Sequence, residues 1–514
     1  MRRRLRELFE EIRTIPVYRY TALVVAAVLV AGLVVLIRTA LHEDRSCAAG
    51  VARPEGSDEC VGVSTSAFDF GQRRLADTIR AVARENGTLK AGTYVSVALF
   101  EPFTATDTDT MNDVLHELQG AYLAQYAANH DDNGETPYIR LVLANPGATG
   151  AHWEQAVDRI VAMTKSSDRL RAVTGIGTST DNNKKAVAEL TRLGVPVVGS
   201  SITADDLANG QQGKDPYPGL ARVSPTNTDE ARALASFAKV TADRALLVYD
   251  KPGDPYTKTL QQAFNTLLKG SPYGSWPFTP PADRSQEGST PNTFRQITDL
   301  VCDTDAKLDT VFFAGRHTQL RQFINALGRR GCQSRKFTVL TGDEGSYLTG
   351  DSQLDASALQ HGVSVRYTAL AHPDAWLKNA PSATGGSAQD SQELDRLLAA
   401  AKAAPVGPIG TVALADGQSI IAYDAMQLAV HGVREATPAQ KKIPPLSDVG
   451  LQWPQVKGSL RVSGASGWIC LDVHGNPYDK AVPIVELTPK GAARFVKLAW
   501  PEGRPPSKEC LPPA

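Results

Sequence analysis

The chain has 514 residues, a net charge of −1 and a hydrophobic content of 42%. That length exceeds the ~250–300 residues at which a single core stops growing, so more than one compact lobe is expected. The balanced charge excludes a basic field for nucleic acid, and the apolar content excludes a disordered chain.

Residues 1–20 form a basic leader with six Arg against three Glu. Thr21–Ile37 follows, seventeen residues without a charge, flanked by Tyr18 and Tyr20. Such a run is at the short end of the ~17–25 residues that cross a bilayer as a helix. The reading is a transmembrane helix over 21–38, with the Arg-rich end cytoplasmic and the large domain outside: a single-pass protein of the cell membrane. A cleaved signal peptide is the alternative, but no small-x-small site closes the run, and no Cys stands there for a lipoprotein signal. Six Cys beyond a membrane read as three disulfides. Sequence leaves the fifteen possible pairings open; proximity favours Cys47–Cys60, Cys302–Cys332 and Cys470–Cys510. No Cys-x-x-Cys occurs and the nine His lack ligand spacing, so neither a metal nor a cofactor is expected.

Residues 39–91 read as a juxtamembrane stalk and a first helix, with Leu75, Ile79 and Val82 at helical spacing. Five short apolar runs then alternate with helical stretches: Tyr94–Phe100, Ile139–Ala144, Ala172–Gly175, Val195–Gly199 and Ala245–Tyr249. A buried strand followed by an amphipathic helix is the unit of a parallel sheet covered on both faces. Helices are expected over 109–128, 152–163, 182–193, 229–237 and 257–268, and a loop over 270–291. Beyond it come helix 294–301, strand Thr310–Ala314, helix 319–329, and strands Phe337–Leu340 and Val363–Tyr367. Residues 371–388 read as a surface loop, and 391–403 and 415–434 as helices. Leu460–Val462, Trp468–Leu471 and Val482–Leu487 read as a meander turning at Gly475-Asn476.

Parallel sheets bind ligands at the carboxyl ends of their strands. Here those ends carry Thr178, Ser179, Ser201 and Thr203, followed by Tyr256 and the turn Gly342-Asp343-Glu344. Amides at helix starts with nearby hydroxyls hold an anion, and an acid facing them accepts an ammonium. Ser, Thr and Asp are also ordinary caps and turn residues. Gly175-x-Gly177-x-x-Thr180 only partly matches a dinucleotide fingerprint, because the third Gly is missing. No nucleophile elbow, zinc-protease motif or paired carboxylates at a common strand end mark an enzyme.

The ordered set Tyr94–Phe100, Gly175–Thr180, Pro196–Thr203, Leu220–Pro225, Leu246–Asp250 with Tyr256, Val311–Gly315, Gly342-Asp343 and Ile421–Leu428 resembles type I periplasmic binding proteins. Within these it is most similar to the branched-chain amino acid substrate-binding proteins of ABC transporters. The resemblance implies two doubly wound parallel-sheet lobes joined by a three-strand hinge. The first lobe would span 92–222 and 369–436, the second 223–368 and 455–490, with 491–514 as a tail. It implies that Thr178, Ser179, Ser201 and Thr203 hold a ligand carboxylate, that Tyr256 closes over the ligand, and that Asp343 receives an amino group. Two positions depart from the family: the first turn reads Glu101-Pro-Phe-Thr-Ala-Thr where a Gly-Pro-rich turn is usual, and Arg316 follows Ala314-Gly315, where a fixed cation would select an anionic ligand. The expected function is an anchored extracellular binding protein delivering a small polar, amino-acid-like ligand to an ABC permease. The alternative is a ligand-sensing receptor ectodomain without a transporter.

Overall fold

The computed structural model describes residues 17, 20, 21, 23–25, 27–32, 45–130, 134–282, 286–376, 384–439 and 442–512. Residues up to Cys47 and those from Ala48 onward form separate units. Within the uncharged run, 23–25 and 27–32 are helical, and Leu23, Val24, Val28, Leu29 and Val30 are exposed. No helix among the described residues is long and apolar enough to cross a membrane. The leader through residue 16 and the segment 33–44 lie outside the described residues.

Two sheets dominate the second unit. In the first, Val51–Ala52, Val61–Ser64, Tyr138–Asn145, Tyr94–Phe100, Leu170–Gly175, Val197–Gly199 and Leu220–Arg222 lie side by side in that order. The pairings from Tyr138–Asn145 onward are parallel, whereas Val61–Ser64 runs antiparallel to it. The stretch read as a stalk thus contributes strands to this sheet. In the second sheet the order is Ser275–Phe278, Ala245–Asp250, Thr310–Ala314, Phe337–Thr341, Val363–Thr368, Val482–Leu487 and Ala493–Ala499. It is parallel as far as Val363–Thr368, and the last two strands are antiparallel.

The parallel strands are near-continuous runs of buried Val, Leu, Ile, Ala and Phe, as a sheet covered on both faces requires. Val97, Leu99, Val142 and Val173 have no exposure, nor do Leu246, Val248, Val311 and Phe313. Helix Thr108–Asn129 lies against helix Gln418–Glu435 closely enough that a Cβ on Gly120 would sit 2.2 Å from the Ser419 carbonyl oxygen. Phe278, Phe294, Phe313 and Phe323 stack as one aromatic group in the core of the second sheet.

Further elements differ from the sequence reading. The expected loop 270–291 contains strand Ser275–Phe278, whose Pro277 is tolerated because this strand is the sheet edge. The expected surface loop 371–388 contains a short helix, Pro373–Trp376, whose Trp376 is buried beside Ala481 and Leu498; residues 377–383 lie outside the described residues. No meander forms at the carboxyl end: Val462–Gly464 and Gly467–Ile469 make a small hairpin, while Val482–Leu487 joins the second sheet. Ala493–Ala499, inside the expected tail, pairs beside it. Cys302 is bonded to Cys332 and Cys470 to Cys510, with Cα separations of 5.6 and 6.2 Å. Cys47 and Cys60 are each engaged in a disulfide.

Candidate functional site

The carboxyl ends of the two sets of parallel strands face one another. From the first sheet come Glu101 after Phe100, the turn 176–180 after Gly175, and Ser200–Thr203 after Gly199. From the second come Tyr256 at the start of helix Pro255–Leu267, Arg316 beside Ala314, and Asp343 and Glu344 after Thr341. Each turn opens a helix or a 3₁₀ turn, so side chains and free amides converge there.

Arg316 crosses from one set to the other. Its Nε donates to Asp254 Oδ2 at 2.9 Å, its Nη1 to Glu344 Oε1, and its Nη2 to the Ser179 carbonyl oxygen at 2.9 Å. The guanidinium also lies over the Tyr256 ring, 4.7 Å from its centroid. Asp254 is fixed by capping helix Pro255–Leu267, where it accepts from the Thr257 amide at 2.9 Å. His317 makes a second crossing: Nδ1 lies 2.7 Å from Glu344 Oε2, and Nε2 lies 3.4 Å from Asp109 Oδ2. Burial would lower the His317 pKa, but the Glu344 charge and hydrogen bonds to both carboxylates raise it to about 10, so both ring nitrogens donate. Against its own burial, Glu344 is held down at about 2 by Arg316 and His317. The Tyr347 hydroxyl makes a further crossing by donating to Asp113.

The wall on the first sheet's side is built around two carboxylates. Glu101 and Glu117 are 2% and 1% exposed. Gly177 donates its amide to Glu101 Oε1 at 3.0 Å. Ser200 and Ser201 donate their hydroxyls to Glu117 Oε2 and Oε1 at 2.6 and 2.7 Å. Burial, reinforced by its neighbour Glu117, pushes Glu101 well above the usual carboxylate range; burial also raises Glu117. The dinucleotide-like loop is filled by this arrangement, because a Cβ at Gly175 would meet Glu101 Oε1 at 2.5 Å. Thr180 there caps helix Asp181–Arg192 by accepting from the Asn183 amide.

The residues singled out in the sequence are placed as follows. Ser179 Oγ accepts from the amides of Thr203 and Ala204 at 3.1 Å each. Thr203 is buried, and its carbonyl accepts from the Asn227 amide at 2.7 Å. Ser201 is bound to Glu117 and, at 2.9 Å, to Gln418 Oε1. The Thr178 carbonyl accepts from Asn183 Nδ2 at 2.8 Å and from the Thr180 amide at 3.0 Å. Tyr256 is buried against Gly342, and its hydroxyl accepts from the Glu344 amide at 3.4 Å. Burial and the Glu344 charge push Asp343 up to about 7, although Tyr256 hydrogen-bonds it. Ser179, Thr203, Tyr256, Asp343 and Arg316 thus meet through direct contacts or shared partners, and Ser201 meets Glu117 instead. Arg316 is no free selector of anions, because Asp254 and Glu344 already neutralise it.

The acids on helix Thr108–Asn129 escaped the sequence reading, although Asp109, Asp113 and Glu117 recur at a spacing of four and so share one helix face. The neighbouring apolar stripe of Val114, Leu118, Tyr122 and Tyr126 dominates the pattern of this helix and is its buried packing face. Glu101 was legible as the first residue of the turn after strand Tyr94–Phe100 and as a departure from the family, but not as a buried partner of Gly177.

No family model and no curated protein matches the chain. Solved structures do. The branched-chain amino acid transporter substrate-binding protein LivJ from Streptococcus pneumoniae, in complex with isoleucine, superposes with a TM-score of 0.56 at 16% identity. That match covers 79% of this chain and 99% of the other. The leucine-binding protein LivK from Thermotoga maritima gives 0.55 at 15% identity over 79% of this chain and 99% of its own. A solute-binding protein from Rhodopseudomonas palustris, in complex with 3,4-dihydroxybenzoic acid, gives 0.52 at 16% over 79% and 97%. The chain therefore has the mixed α/β, parallel-sheet fold of these solute-binding proteins, and the resemblance read from its motifs holds at the level of fold.

Proposed function

We propose that the chain is an extracellular solute-binding protein, anchored by residues 21–37, whose two sheets form lobes that close on a small polar ligand for an ABC permease. The observation that carries this reading is the Arg316 crossing. A buried cation from the turn after one sheet's strand is bonded to the Ser179 carbonyl after a strand of the other. Turns built this way hold a ligand between them only when the lobes come together, which is how a binding protein signals occupancy. The ligands named for the structural neighbours, isoleucine and 3,4-dihydroxybenzoic acid, set the size range. The exposed apolar helical residues 23–25 and 28–30 support the anchor, since such a surface is stable only against lipid or another apolar partner.

Protease added to intact protoplasts should degrade the bulk of the protein and leave a short membrane-bound stub. A soluble protein in the medium with a new amino terminus beyond residue 37 would overturn the anchor. Crosslinking in cells should capture a permease subunit; capture of signalling proteins alone would favour the receptor ectodomain.

A further inference from the structure

We infer that the ligand of this crevice is an amine cation without a carboxylate, recognised by acceptor oxygens on both walls. This inference rests on the binding-protein reading proposed above. On the first wall, five donors suited to an anion, the Gly177, Thr203 and Ala204 amides and the Ser200 and Ser201 hydroxyls, are already used within the protein. The Gly177 amide serves Glu101, the Ser200 and Ser201 hydroxyls serve Glu117, and Ser179 Oγ takes two backbone amides. A ligand carboxylate placed there would displace these bonds and face two buried carboxyl groups.

The second wall points the same way independently. Asn227 and Glu230 are 0% and 1% exposed; Asn227 stands beside Tyr256, and Glu230 beside Tyr256 and the Gly342-Asp343 turn. Asn227 Nδ2 donates to the Tyr256 carbonyl at 2.9 Å, and Glu230 Oε2 accepts from the Thr368 hydroxyl. Asn227 Oδ1, Glu230 Oε1 and Asp343 Oδ1 are buried oxygens that make no hydrogen bond, although Tyr256 hydrogen-bonds the Asp343 carboxyl and the Asp343 amide that of Glu230. Buried acceptors in folded proteins nearly always find donors, so three orphaned acceptors around one tyrosine ask for a group rich in N–H. The crevice already holds one such group in this way: the Arg316 guanidinium lies between Asp254, Glu344, a backbone carbonyl and the Tyr256 ring. Burial raises the carboxyls of Glu101, Glu230 and Asp343, as expected of acids that lack a counter-cation. An arriving ammonium would lower them and release protons.

The test is calorimetry on the full-length protein in detergent, in two buffers of different ionisation heat, with 1,4-diaminobutane, leucine and benzoate as probes. We expect 1,4-diaminobutane to bind with proton release, and leucine and benzoate to give no binding heat. Glu117→Gln and Asp343→Asn should each weaken the diamine at least tenfold while keeping the native circular dichroism spectrum. Asp343→Asn serves as the second variant should Glu117→Gln not fold. Binding of leucine or benzoate in place of the diamine would overturn the inference and leave the binding-protein reading standing. Diamine binding that neither variant weakens would overturn the assigned walls. Failure of all three probes would overturn the inference, and a thermal-shift screen of further amino acids, acids and amides would then judge the parent reading by itself.

Discussion

Replacing Arg316 with Met should destabilise the protein by about 3 kcal/mol at pH 7, a figure that follows from what each of its partners keeps. Removing one member of a buried ion pair typically costs ~3–5 kcal/mol, because a charge is left buried without compensation. Here the loss sits at the lower end of that range. Asp254 retains the Thr257 amide at 2.9 Å, and Glu344 retains both the amide and Nδ1 of His317 at 2.9 and 2.7 Å. The Ser179 carbonyl loses its cross-crevice donor outright. Arg316→Lys should recover part of the loss, since one ammonium cannot serve three acceptors fixed around a planar fork. The double variant Arg316→Met/Glu344→Gln should lose less than the sum of the two single variants, because the second change removes the carboxylate that the first strands. Urea unfolding, compared at a common slope, measures the difference. A loss below about 1 kcal/mol for Arg316→Met, or strict additivity in the double variant, would refute the view that this guanidinium is the central crossing contact.

Other contacts give their own tests. His317 has a folded-state pKa of about 10 against an ordinary 6.5, so its stabilising contribution is complete below 6.5 and is lost as pH rises through about 10. Small-angle scattering should show the lobes opening over that alkaline window, and Asp109→Asn should move the transition to lower pH; an unchanged radius of gyration from pH 7 to 10.5 would count against it. Gly120→Ala should destabilise by ~1–3 kcal/mol, since its Cβ would press on the Ser419 carbonyl at 2.2 Å; a neutral effect on the melting point would show that the helices separate easily. Cys302→Ser with Cys332→Ser should lose ~3–4 kcal/mol, as for a closed loop of this length, and the non-reduced digest should contain the Cys302–Cys332 peptide.

Strands were legible where burial on both faces leaves no polar alternation. Tyr94–Phe100 and Thr310–Ala314 coincide with the apolar runs, and Ala245–Asp250 exceeds its run by one residue. Ser275–Phe278 was hidden because an edge strand needs only one bonded side, which tolerates the Pro277 that argues against a strand. The end of the chain misled for a different reason. Val482–Leu487 reads locally as the next strand of a meander, but its partner is Val363–Thr368, more than a hundred residues away. Sequence proximity carries no information about that return.

The crevice divides along the same physical line. Its position could be read, because strand ends are set by periodicity and turn residues. Its chemistry could not, because a hydroxyl's partner is decided by an acid on another element. Ser201 looks like an anion holder until Glu117, eighty-four positions earlier, takes its proton donor. Arg316 looks like an anion selector until Asp254 and Glu344 close on it. Both reversals act in one direction: in each, carboxylates of the protein occupy a group that a ligand anion would need. A family resemblance carried residue by residue would keep the hydroxyls and miss the carboxylates that occupy them. Glu101 and Arg316 are therefore the positions on which the inferred ligand chemistry turns. They are linked, since Glu101 holds the Gly177 amide two residues before Ser179, whose carbonyl takes the Arg316 guanidinium.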